Sequence, residues 1–335
     1  MKKDKKRIGV IGAGGWGTAL AALLVNNGHH VTLWSHETEV VNEINTIHTN
    51  KIYLNGIELP QTLRASIDPK EMRFKEALIL VIPTQFIRPV FSEYKFILTE
   101  KIVVNCSKGI EKHSLMRPSE LMSDLGLNPD DFCVITGPSH AEEVARNVPT
   151  TVVAASDNPL TSKYVQDLFT SNSFRVYNSD DVVGCEIGGA LKNVIAIAAG
   201  IIDGLELGDN TKAALITRGL AEMSRLAYSI GGKQMTLSGL SGLGDLVVTC
   251  NSFHSRNRYV GEQIGKGRSV EDIITHMQMV AEGISTTESA YFLGKKHGVE
   301  MPITEQMYEI IFNNVKPLEA IKVLMNRQAK HEWWW

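Results

Sequence analysis

The sequence predicts a two-domain α/β protein, in which a doubly wound parallel sheet is followed by an all-helical domain. Its 335 residues are enough for about two domains of roughly 150 residues each. Short apolar runs alternate with helical patterns through the first half, as in parallel sheets that are covered on both faces. Near residue 180 the strand-like runs stop, and helix-length patterns follow. We therefore assign 1–180 to the sheet domain and 181–335 to the helical domain.

The charge balance narrows the possible functions. The chain has 34 Lys and Arg residues and 37 Asp and Glu residues, so its formal net charge is -3 at pH 7. This balance gives no general attraction to nucleic acid or to an anionic membrane. The four cysteines have neither the spacing of a zinc site nor that of a disulfide framework, which indicates a reducing compartment. We expect a cytoplasmic protein that holds no metal and binds a small molecule.

The N-terminus superficially resembles a targeting segment. The basic residues 1–7 precede an uncharged stretch, 8–25, but five glycines lie among the first ten residues of that stretch. Glycine is a poor helix former, so a short strand (Arg7–Ile11), a glycine turn, a helix (Trp16–Asn26) and a second strand (His30–Trp34) fit better. We expect no secretion or membrane insertion, and no other segment of spanning length.

The other elements follow the same patterns. The apolar runs expected to form strands are Ile8–Ile11, Val31–Trp34, Ala77–Ile82, Ile102–Asn105, Phe132–Thr136 and Thr151–Ala155. From residue 184 onward we predict no strand, and the helix-length patterns cover 184–202, 211–230, 257–266, 270–279, 284–297, 303–313 and 316–327. A glycine-rich turn at 238–245 separates two of these helices.

Residues 12–17 (GAGGWG) fit the G-x-G-x-x-G pattern of a Rossmann-type dinucleotide-binding turn. Gly12 allows the tight turn from strand to helix, Gly14 lets the backbone approach a pyrophosphate, and Gly17 lets helix and strand pack closely. The N–H groups that open the helix then face the negative charge of the cofactor. The alternative is a glycine-rich turn that binds nothing, but the flanking strand, helix and second strand favour a cofactor.

The end of the second strand bears on the choice between NAD and NADP. An acidic residue there would bind the ribose hydroxyl of NAD and repel the 2′-phosphate of NADP. This chain has Ser35 and His36 at that point, with Glu37 one place beyond. Ser35 and His36 remove the repulsion and can donate hydrogen bonds to a phosphate. We therefore predict that the protein accepts NADP. A further expectation is that it prefers NADPH to NADH.

Lys192 is the leading candidate for a catalytic acid or base. A dehydrogenase that acts on a ketone or alcohol needs a proton donor at the oxygen, and burial or nearby positive charge lowers the pKa of a lysine enough for that role. The alternative is a lysine whose charged end reaches solvent at a domain interface. The small residues at helical spacing around it suggest a groove that a ligand or another backbone can approach: Gly188, Gly189, Ala196, Ala199 and Gly200.

Two further motifs follow predicted strands. Lys108 comes shortly after the strand that ends at Asn105, where ligands of open α/β sheets bind. Gly137 and Ser139 follow the strand that ends at Thr136, so their backbone amides and hydroxyl could meet an anion. The alternative for Lys108 is a lysine in a surface turn.

Two motifs of the helical half could also serve the site. Asp245, after the turn SGLG, could orient Lys192 or bind a substrate hydroxyl, although a helix N-cap is the alternative. Residues 255–258 (SRNR) place two guanidinium groups beside small polar donors, and arginine suits phosphate recognition.

Taken together, the motifs closely resemble the bacterial NAD(P)-dependent sn-glycerol-3-phosphate dehydrogenases. The blocks that carry this resemblance occur in order across most of the chain: 12–17 (GAGGWG), 107–111 (SKGIE), 137–141 (GPSHA), 188–195 (GGALKNVI), 217–223 (TRGLAEM), 241–250 (SGLGDLVVTC) and 255–258 (SRNR). The resemblance implies reversible hydride transfer between dihydroxyacetone phosphate and sn-glycerol 3-phosphate, whose product supplies the backbone of membrane phospholipids. It also makes a homodimer plausible.

The resemblance implies roles for individual residues. Lys192 is the general acid or base, with Lys108 and Asp245 in the catalytic group. The implied substrate contacts are Lys108, Gly137, Ser139, Lys192, Asp245, Ser255, Arg256 and Asn257. The cofactor contacts, including the glycine turn, are Gly12, Gly14, Gly15, Trp16, Gly17, His36, Lys108, Ala141, Arg256, Val280 and Glu282. Gly15 departs from the family, in which serine or threonine is common at that place.

Two other functions remain open at this point. A β-hydroxyacid or 6-phosphogluconate type of dehydrogenase also uses a helical lysine, but its substrates carry a carboxylate. A nucleotide-sensing protein could keep the fold and lack the chemistry, although Lys192, Asp245 and Arg256 argue against it. The sequence assigns no role to the C-terminal residues Trp333–Trp335.

Overall fold

The computed structural model describes residues 4–277, 279–329 and 331–332, so Trp333–Trp335 lie outside the described residues. The chain divides into two compact units. The first comprises residues 1–107 and 118–182, and the second comprises 108–117 and 183–335. The sequence-based boundary at 180/181 lies next to the last of these crossings. The prediction placed residues 108–117 in the first domain, whereas they belong to the second unit. The predicted first domain is corrected accordingly.

The first unit is built on one eight-stranded sheet. Its strands are β1 (Arg7–Ile11), β2 (His30–Trp34), β3 (Arg64–Ser66), β4 (Ala77–Leu80), β5 (Ile102–Asn105), β6 (Phe132–Thr136), β7 (Thr150–Ala155) and β8 (Phe174–Ser179). Their order is β3-β2-β1-β4-β5-β6-β7-β8. The pairs are parallel except for β6 with β7. The predicted parallel α/β sheet is therefore confirmed with one antiparallel pair that the sequence did not indicate.

Helices separate the strands of this unit. They are α1 (Gly15–Asn26), α2 (Thr38–Ile47), α3 (Ile87–Glu93), α4 (Pro118–Asp124), α5 (Ala141–Ala145) and α6 (Pro159–Phe169), with short 3-10 turns between some of them. The central strands β1 and β4 are buried along nearly their whole length, because helices cover a doubly wound sheet on both faces. Gly28, just after α1, has a φ of 93°, which is the left-handed conformation expected of a helix C-terminus.

Two strands escaped prediction, and both lie at the edges of the sheet. β3 has only three residues and little apolar character. In β8, buried Phe174 and Val176 alternate with exposed Arg175 and Tyr177, so the strand lacks the continuous apolar run of the central strands.

The second unit is helical. Its helices are α7 (Val182–Gly204), α8 (Gly208–Ser229), α9 (Gln234–Leu237), α10 (Asp245–Asn251), α11 (Arg256–Gly265), α12 (Val270–Thr275), α13 (Glu282–Lys296), α14 (Pro302–Phe312) and α15 (Pro317–Met325). No residue from 183 on lies in a strand within the described part of the chain, so the all-helical prediction is confirmed. The predicted turn at 238–245 is a π-helical turn, Leu240–Gly244, that leads directly into α10.

The helix α7 passes through the centre of the second unit. Its 23 residues are long and apolar enough to cross a membrane by length and composition, but its most apolar window is 100% buried inside the protein. The expectation that no segment beyond the N-terminus approaches a spanning length is therefore wrong. Burial against the surrounding helices accounts for the apolar composition, because a helix that is hydrophobic on all sides is typical of a core position.

Candidate active site

The glycine turn of the first unit has the geometry of a pyrophosphate cradle. Gly12 has a φ of 113°, which side chains rarely adopt, and its N–H donates to the Trp34 carbonyl at 3.0 Å. A Cβ on Gly17 would lie 1.9 Å from the Gly12 carbonyl oxygen, so only glycine lets α1 begin this close to β1. A Cβ on Gly14 would meet nothing within 4 Å. The open side of the turn thus faces space at a helix N-terminus, which fits a phosphate group.

Gly15 has a structural reason for departing from the family pattern. A Cβ at this position would lie 2.6 Å from the carbonyl oxygen of Tyr53. The Cβ of Ala141 is also near, 3.8 Å from the same point, so this predicted cofactor contact borders the cradle. A serine or threonine at position 15 would require the Tyr53 backbone to move. This close approach accounts for the glycine and for the absence of a side-chain hydroxyl there.

Asn50 supports the cradle from outside the motif. Its Nδ2 donates to the Ala13 carbonyl and to the Thr18 hydroxyl, both at 2.8 Å, and the residue is fully buried. These bonds fix the backbone inside the glycine turn. Sequence analysis missed Asn50, because nothing local distinguishes a buried asparagine that lies more than thirty residues from its partners.

The end of β2 offers one exposed donor. His36 is exposed, whereas Ser35 is only 2% exposed and its hydroxyl accepts from the Glu37 N–H at 3.2 Å. We therefore withdraw Ser35 as a phosphate donor and keep His36. The Glu37 carboxylate accepts a hydrogen bond from the Tyr53 hydroxyl at 2.8 Å, which fixes it beside the cradle.

Gly137 and Ser139 follow β6, as predicted. Gly137 has a φ of 131°, and the Ser139 hydroxyl donates to its carbonyl at 2.9 Å. Both residues belong to the first unit. The other residues that the sequence assigned to the substrate belong to the second unit and fall into two connected groups.

Lys192 lies in the middle of α7 and is almost entirely buried. Its Nζ donates to Asp245 Oδ1 at 2.5 Å and to the Thr249 hydroxyl at 2.8 Å, and the residue is 6% exposed. An ammonium group has three N–H donors, so these two bonds leave one for a further acceptor. The amine is therefore held in a fixed position rather than extended to the surface, which rules out the alternative of a solvated interface lysine.

Asp245 joins two lysines. Its Oδ1 accepts from Lys192, and its Oδ2 accepts from Lys108 Nζ at 2.7 Å. The Asp245 side chain is 1% exposed, and that of Lys108 is 15% exposed. Two ammonium groups and one carboxylate leave this cluster with a net positive charge. Asp245 is also the first residue of α10, but its side chain binds the lysines, so the N-cap alternative is wrong.

Burial and charge set the acidity of the cluster. Burial lowers the pKa of Lys192 from 10.5 to about 8, Asp245 opposes that change, and nearby Lys108 adds to it. Burial alone would raise the pKa of Asp245, but the charges of Lys108 and Lys192 outweigh it and lower that pKa. The cluster therefore combines an ionised carboxylate with an amine that can gain or release a proton near neutral pH.

Thr249 is a site residue that sequence reasoning missed. It lies four residues after Asp245, so the helical repeat places both side chains on the same face of α10. Its hydroxyl donates to the Asp245 carbonyl at 2.6 Å and accepts from Lys192. The spacing of an acidic and a hydroxyl residue on one helix was the signal that could have found it.

The predicted groove of small residues on α7 is filled by other parts of the backbone. A Cβ on Gly188 would lie 2.2 Å from the Ser241 carbonyl oxygen, and one on Gly200 would lie 1.9 Å from the Arg258 carbonyl oxygen. The sequence analysis allowed either a ligand or another backbone to approach this groove. At Gly188 and Gly200 it is another backbone. The glycines bring the turn before Asp245 and the helix α11 directly against the helix that carries Lys192.

The start of α11 gathers the remaining predicted residues. Ser255 caps the helix by accepting from the Arg258 N–H at 3.2 Å. Arg256 is exposed and donates to the Val280 carbonyl at 3.0 Å. Asn257 accepts from the Gly283 N–H at 3.0 Å. Arg256, Val280 and the neighbouring Glu282, all assigned to the cofactor by resemblance, therefore lie together.

Gly283 connects this group with Lys192. A Cβ on Gly283 would lie 2.7 Å from the Asn193 carbonyl oxygen and 2.7 Å from Asn257 Oδ1. Asn193 follows Lys192 directly in the sequence. The close approach ties the start of α13 and the start of α11 to the part of α7 that carries the amine.

Comparison with known proteins identifies the family of this chain. Residues 7–162 match the model of the N-terminus of NAD-dependent glycerol-3-phosphate dehydrogenase, and residues 181–322 match that of its C-terminus. The chain belongs to this family. A glycerol-3-phosphate dehydrogenase of the NAD(P)+ type from Chlorobium phaeobacteroides strain BS1 is 50% identical over 330 residues, covering 97% of this chain and 99% of that protein. The counterpart from Bacillus subtilis strain 168 is 48% identical, with 98% and 96% covered.

Solved structures give the same assignment. The crystal structure of glycerol-3-phosphate dehydrogenase from Coxiella burnetii has a TM-score of 0.92 and 41% identity, and the match covers 96% of this chain and 99% of that one. A D-mandelate dehydrogenase solved with NADH has a TM-score of 0.59 at 14% identity, which shows a shared fold alone. The hydroxyacid dehydrogenase alternative is therefore not favoured.

Proposed function

We propose that this protein catalyses the reversible NAD(P)-dependent reduction of dihydroxyacetone phosphate to sn-glycerol 3-phosphate, with Lys192 as the proton donor. The family membership supports the reaction and the cofactor class. The single observation that carries the role of Lys192 is its buried amine, bound between Asp245 and Thr249 beside Lys108. The product would serve as the backbone of membrane phospholipids.

The mechanism follows from the charges of the cluster. NAD(P)H, when bound, supplies the hydride to the substrate carbon. Lys192 donates its proton to the ketone oxygen in this direction and takes it back when the alcohol is oxidised. Asp245 keeps the amine in place, and Lys108 contributes a second positive charge that stabilises the developing alkoxide. Because Asp245 remains ionised, it orients the amine without competing for the proton.

The phosphate of the substrate is assigned to the start of α11. The Arg256 guanidinium is exposed and uses one donor nitrogen on the Val280 carbonyl, which leaves further donors for an anion. Ser255 and Asn257 provide polar side chains next to it. Gly137 and Ser139 stay proposed substrate contacts on the family resemblance alone. Binding energy from this remote group would then position the reacting carbon.

The cofactor is assigned to the glycine turn at residues 12–17 and to His36, Lys108, Ala141, Arg256, Val280 and Glu282. The open space at Gly14 and the left-handed Gly12 support the turn as the pyrophosphate site. The exposed His36 and the lack of an acidic residue at the end of β2 support acceptance of NADP alongside NAD.

A spectrophotometric assay tests the reaction. The assay follows the loss of absorbance at about 340 nm, the band of the reduced nicotinamide. NADH and NADPH are each tested with dihydroxyacetone phosphate and with the keto acid that corresponds to a β-hydroxyacid. We expect turnover with dihydroxyacetone phosphate only. Turnover of the keto acid instead, or binding of nucleotide without any turnover, would overturn the proposal in favour of the hydroxyacid enzyme or of a nucleotide sensor.

The remaining expectations concern partners and location. We propose a cytoplasmic enzyme, as family membership suggests for a biosynthetic dehydrogenase. We also propose a homodimer, on the family resemblance alone. Light scattering of the purified protein measures the mass directly. A value of one 37.0 kDa chain would contradict the dimer.

A further inference from the structure

Residues 108–117 connect the sheet strand β5 to the helix α4, yet they pack with the helical unit. The side chain of Ile110 is fully buried in the hydrophobic core of that unit. At one end of the segment, Lys108 binds Asp245. The 108–117 segment thus brings one of the two lysines of the proposed catalytic cluster from outside the helices.

Three contacts attach this segment to helices of the second unit. Arg117 Nη1 lies 2.6 Å from Glu186 Oε2 on α7, and the two side chains are only 11% and 1% exposed. Lys112 pairs with Glu288 on α13 at 2.8 Å. The Ser289 hydroxyl donates to the Ile110 carbonyl at 3.0 Å. The more deeply buried of the two ion pairs therefore joins the segment to α7, the helix that also carries Lys192.

The segment also has a specific internal conformation. The Glu111 N–H donates to the Met116 carbonyl at 2.9 Å, and the Ser114 hydroxyl donates to Glu111 Oε2 at 2.5 Å. His113 and Leu115 have φ values of 64° and 60°, a region that bulky side chains rarely adopt. Such conformations persist only where surrounding contacts enforce them, and they often occur near functional sites.

We propose that the Arg117–Glu186 ion pair positions Lys108: it holds the 108–117 segment on α7 so that the Lys108 amine stays on Asp245, beside the amine of Lys192. This inference rests on the proposed function, because it concerns the acidity of the proposed proton donor. Neither Arg117 nor Glu186 is assigned a contact with substrate or cofactor, and both act through Lys108.

The consequence is a dependence of activity on pH. The charged groups that act on Lys192 are Asp245, which raises its pKa, and Lys108, which lowers it. Thr249 is neutral, and burial raises the pKa of the Cys250 thiol to about 12, so Cys250 is neutral as well. Withdrawing Lys108 removes a nearby positive charge, and the pKa of Lys192 then rises. The alkaline limit of ketone reduction moves to higher pH with it.

The test is the pH dependence of kcat/KM for reduction of dihydroxyacetone phosphate, which reports the ionisation of the free enzyme. The double variant Arg117→Met with Glu186→Gln removes both charges of this ion pair together, so that neither member is left facing the other's vacated position. We expect its alkaline limb to move upward by roughly half a pH unit or more, in the same direction as in Lys108→Met. Ser289→Ala, a milder change to the same segment, should shift the limb by less. Ionisation of the substrate phosphate is common to all variants and cancels in the comparison.

The decisive step combines the changes. In a Lys108→Met background, the double variant should produce no further shift, because the segment would have no lysine left to position. With Lys108 present, the single variant Arg117→Lys keeps a positive charge opposite Glu186. It should therefore retain much of the wild-type pH profile. Lys212→Met is the control: it removes a partly buried ion pair, with Asp203 near the other end of α7, and should leave the limb unchanged.

Two results would overturn the inference: an unchanged limb in the double variant, or a shift that persists in the Lys108→Met background. If the double variant fails to fold, the Ser289→Ala profile in the two backgrounds decides by the same criteria. Failure of the proposed function would be seen earlier, before any variant of the segment is compared. In that case the wild-type enzyme would not reduce dihydroxyacetone phosphate, or Lys192→Ala would keep normal turnover.

Discussion

The glycine cradle of the sheet unit and the lysine–aspartate cluster of the helical unit are built in opposite ways. The cradle consists of backbone from six consecutive residues, 12–17, and its shape depends on the absence of side chains. The cluster consists of charged side chains from three elements, with Lys108, Lys192 and Asp245 in direct contact. The cradle should therefore fail by steric overlap, whereas the cluster should fail by a change in charge.

The largest effect should come from the cluster. Lys192→Ala removes the proposed proton donor and should lower kcat by roughly a hundredfold or more, the scale of positioned acid–base catalysis. Cofactor affinity should change little, because the cradle is untouched. Lys295→Ala, which removes an exposed lysine paired with Glu305, is the control and should keep normal turnover. A Lys192→Ala enzyme with more than about a tenth of wild-type kcat would contradict the assignment.

The cradle should respond to an added methyl group in two distinct ways. In Gly17→Ala the new Cβ overlaps the Gly12 carbonyl, so we expect weaker cofactor binding together with a loss of stability of about 1–3 kcal/mol. In Gly14→Ala the methyl group enters open space, so stability should hold and only cofactor affinity should fall. Thermal unfolding and nucleotide titration measure the two effects. Normal nucleotide binding by both variants would mean that the turn is not the pyrophosphate site.

A smaller and more selective effect is expected at the start of α11. Arg256→Ala should raise KM for dihydroxyacetone phosphate by about one to two orders of magnitude, the scale of a lost charge-assisted hydrogen bond. Unphosphorylated dihydroxyacetone should be affected much less. Arg268→Ala, on a partly exposed arginine paired with Asp272, serves as the control. Equal losses with the two trioses would sink the phosphate assignment.

The smallest effect concerns the choice of cofactor. NADPH and NADH should both support turnover, and His36→Asp should weaken NADPH several-fold relative to NADH, because a carboxylate there repels the 2′-phosphate. Dissociation constants from nucleotide fluorescence measure this ratio. NADPH binding that is about tenfold or more weaker than NADH binding in the wild type would show that the reading of His36 is wrong.

Local sequence patterns were sufficient for most of the fold. The central strands are continuous apolar runs, and the helices of the second unit follow apolar periodicity, so both were predicted to within a few residues. The edge strands β3 and β8 lack that pattern and were missed. The membership of 108–117 in the helical unit was also missed, since it depends on contacts with α7, α10 and α13 and not on local composition.

The candidate site divides along the same line. Gly12, Gly14 and Gly17 could be found from spacing alone, because their roles are local. Lys192 was recognised from its apolar surroundings. Its contact with Thr249 was not, because that contact depends on how α10 packs against α7. The Arg117–Glu186 pair joins two positions far apart in sequence, and no local pattern indicates such a pair.

The most direct test of the account is the pH dependence of wild-type kcat/KM in both directions of the reaction. Burial lowers the pKa of Lys192 to about 8, so ketone reduction, which needs the protonated amine, should decline as the pH rises through that value. Alcohol oxidation, which needs the neutral amine, should rise over the same interval. Profiles that show no transition below the ordinary lysine value of 10.5 would contradict the claim that this buried amine carries the proton.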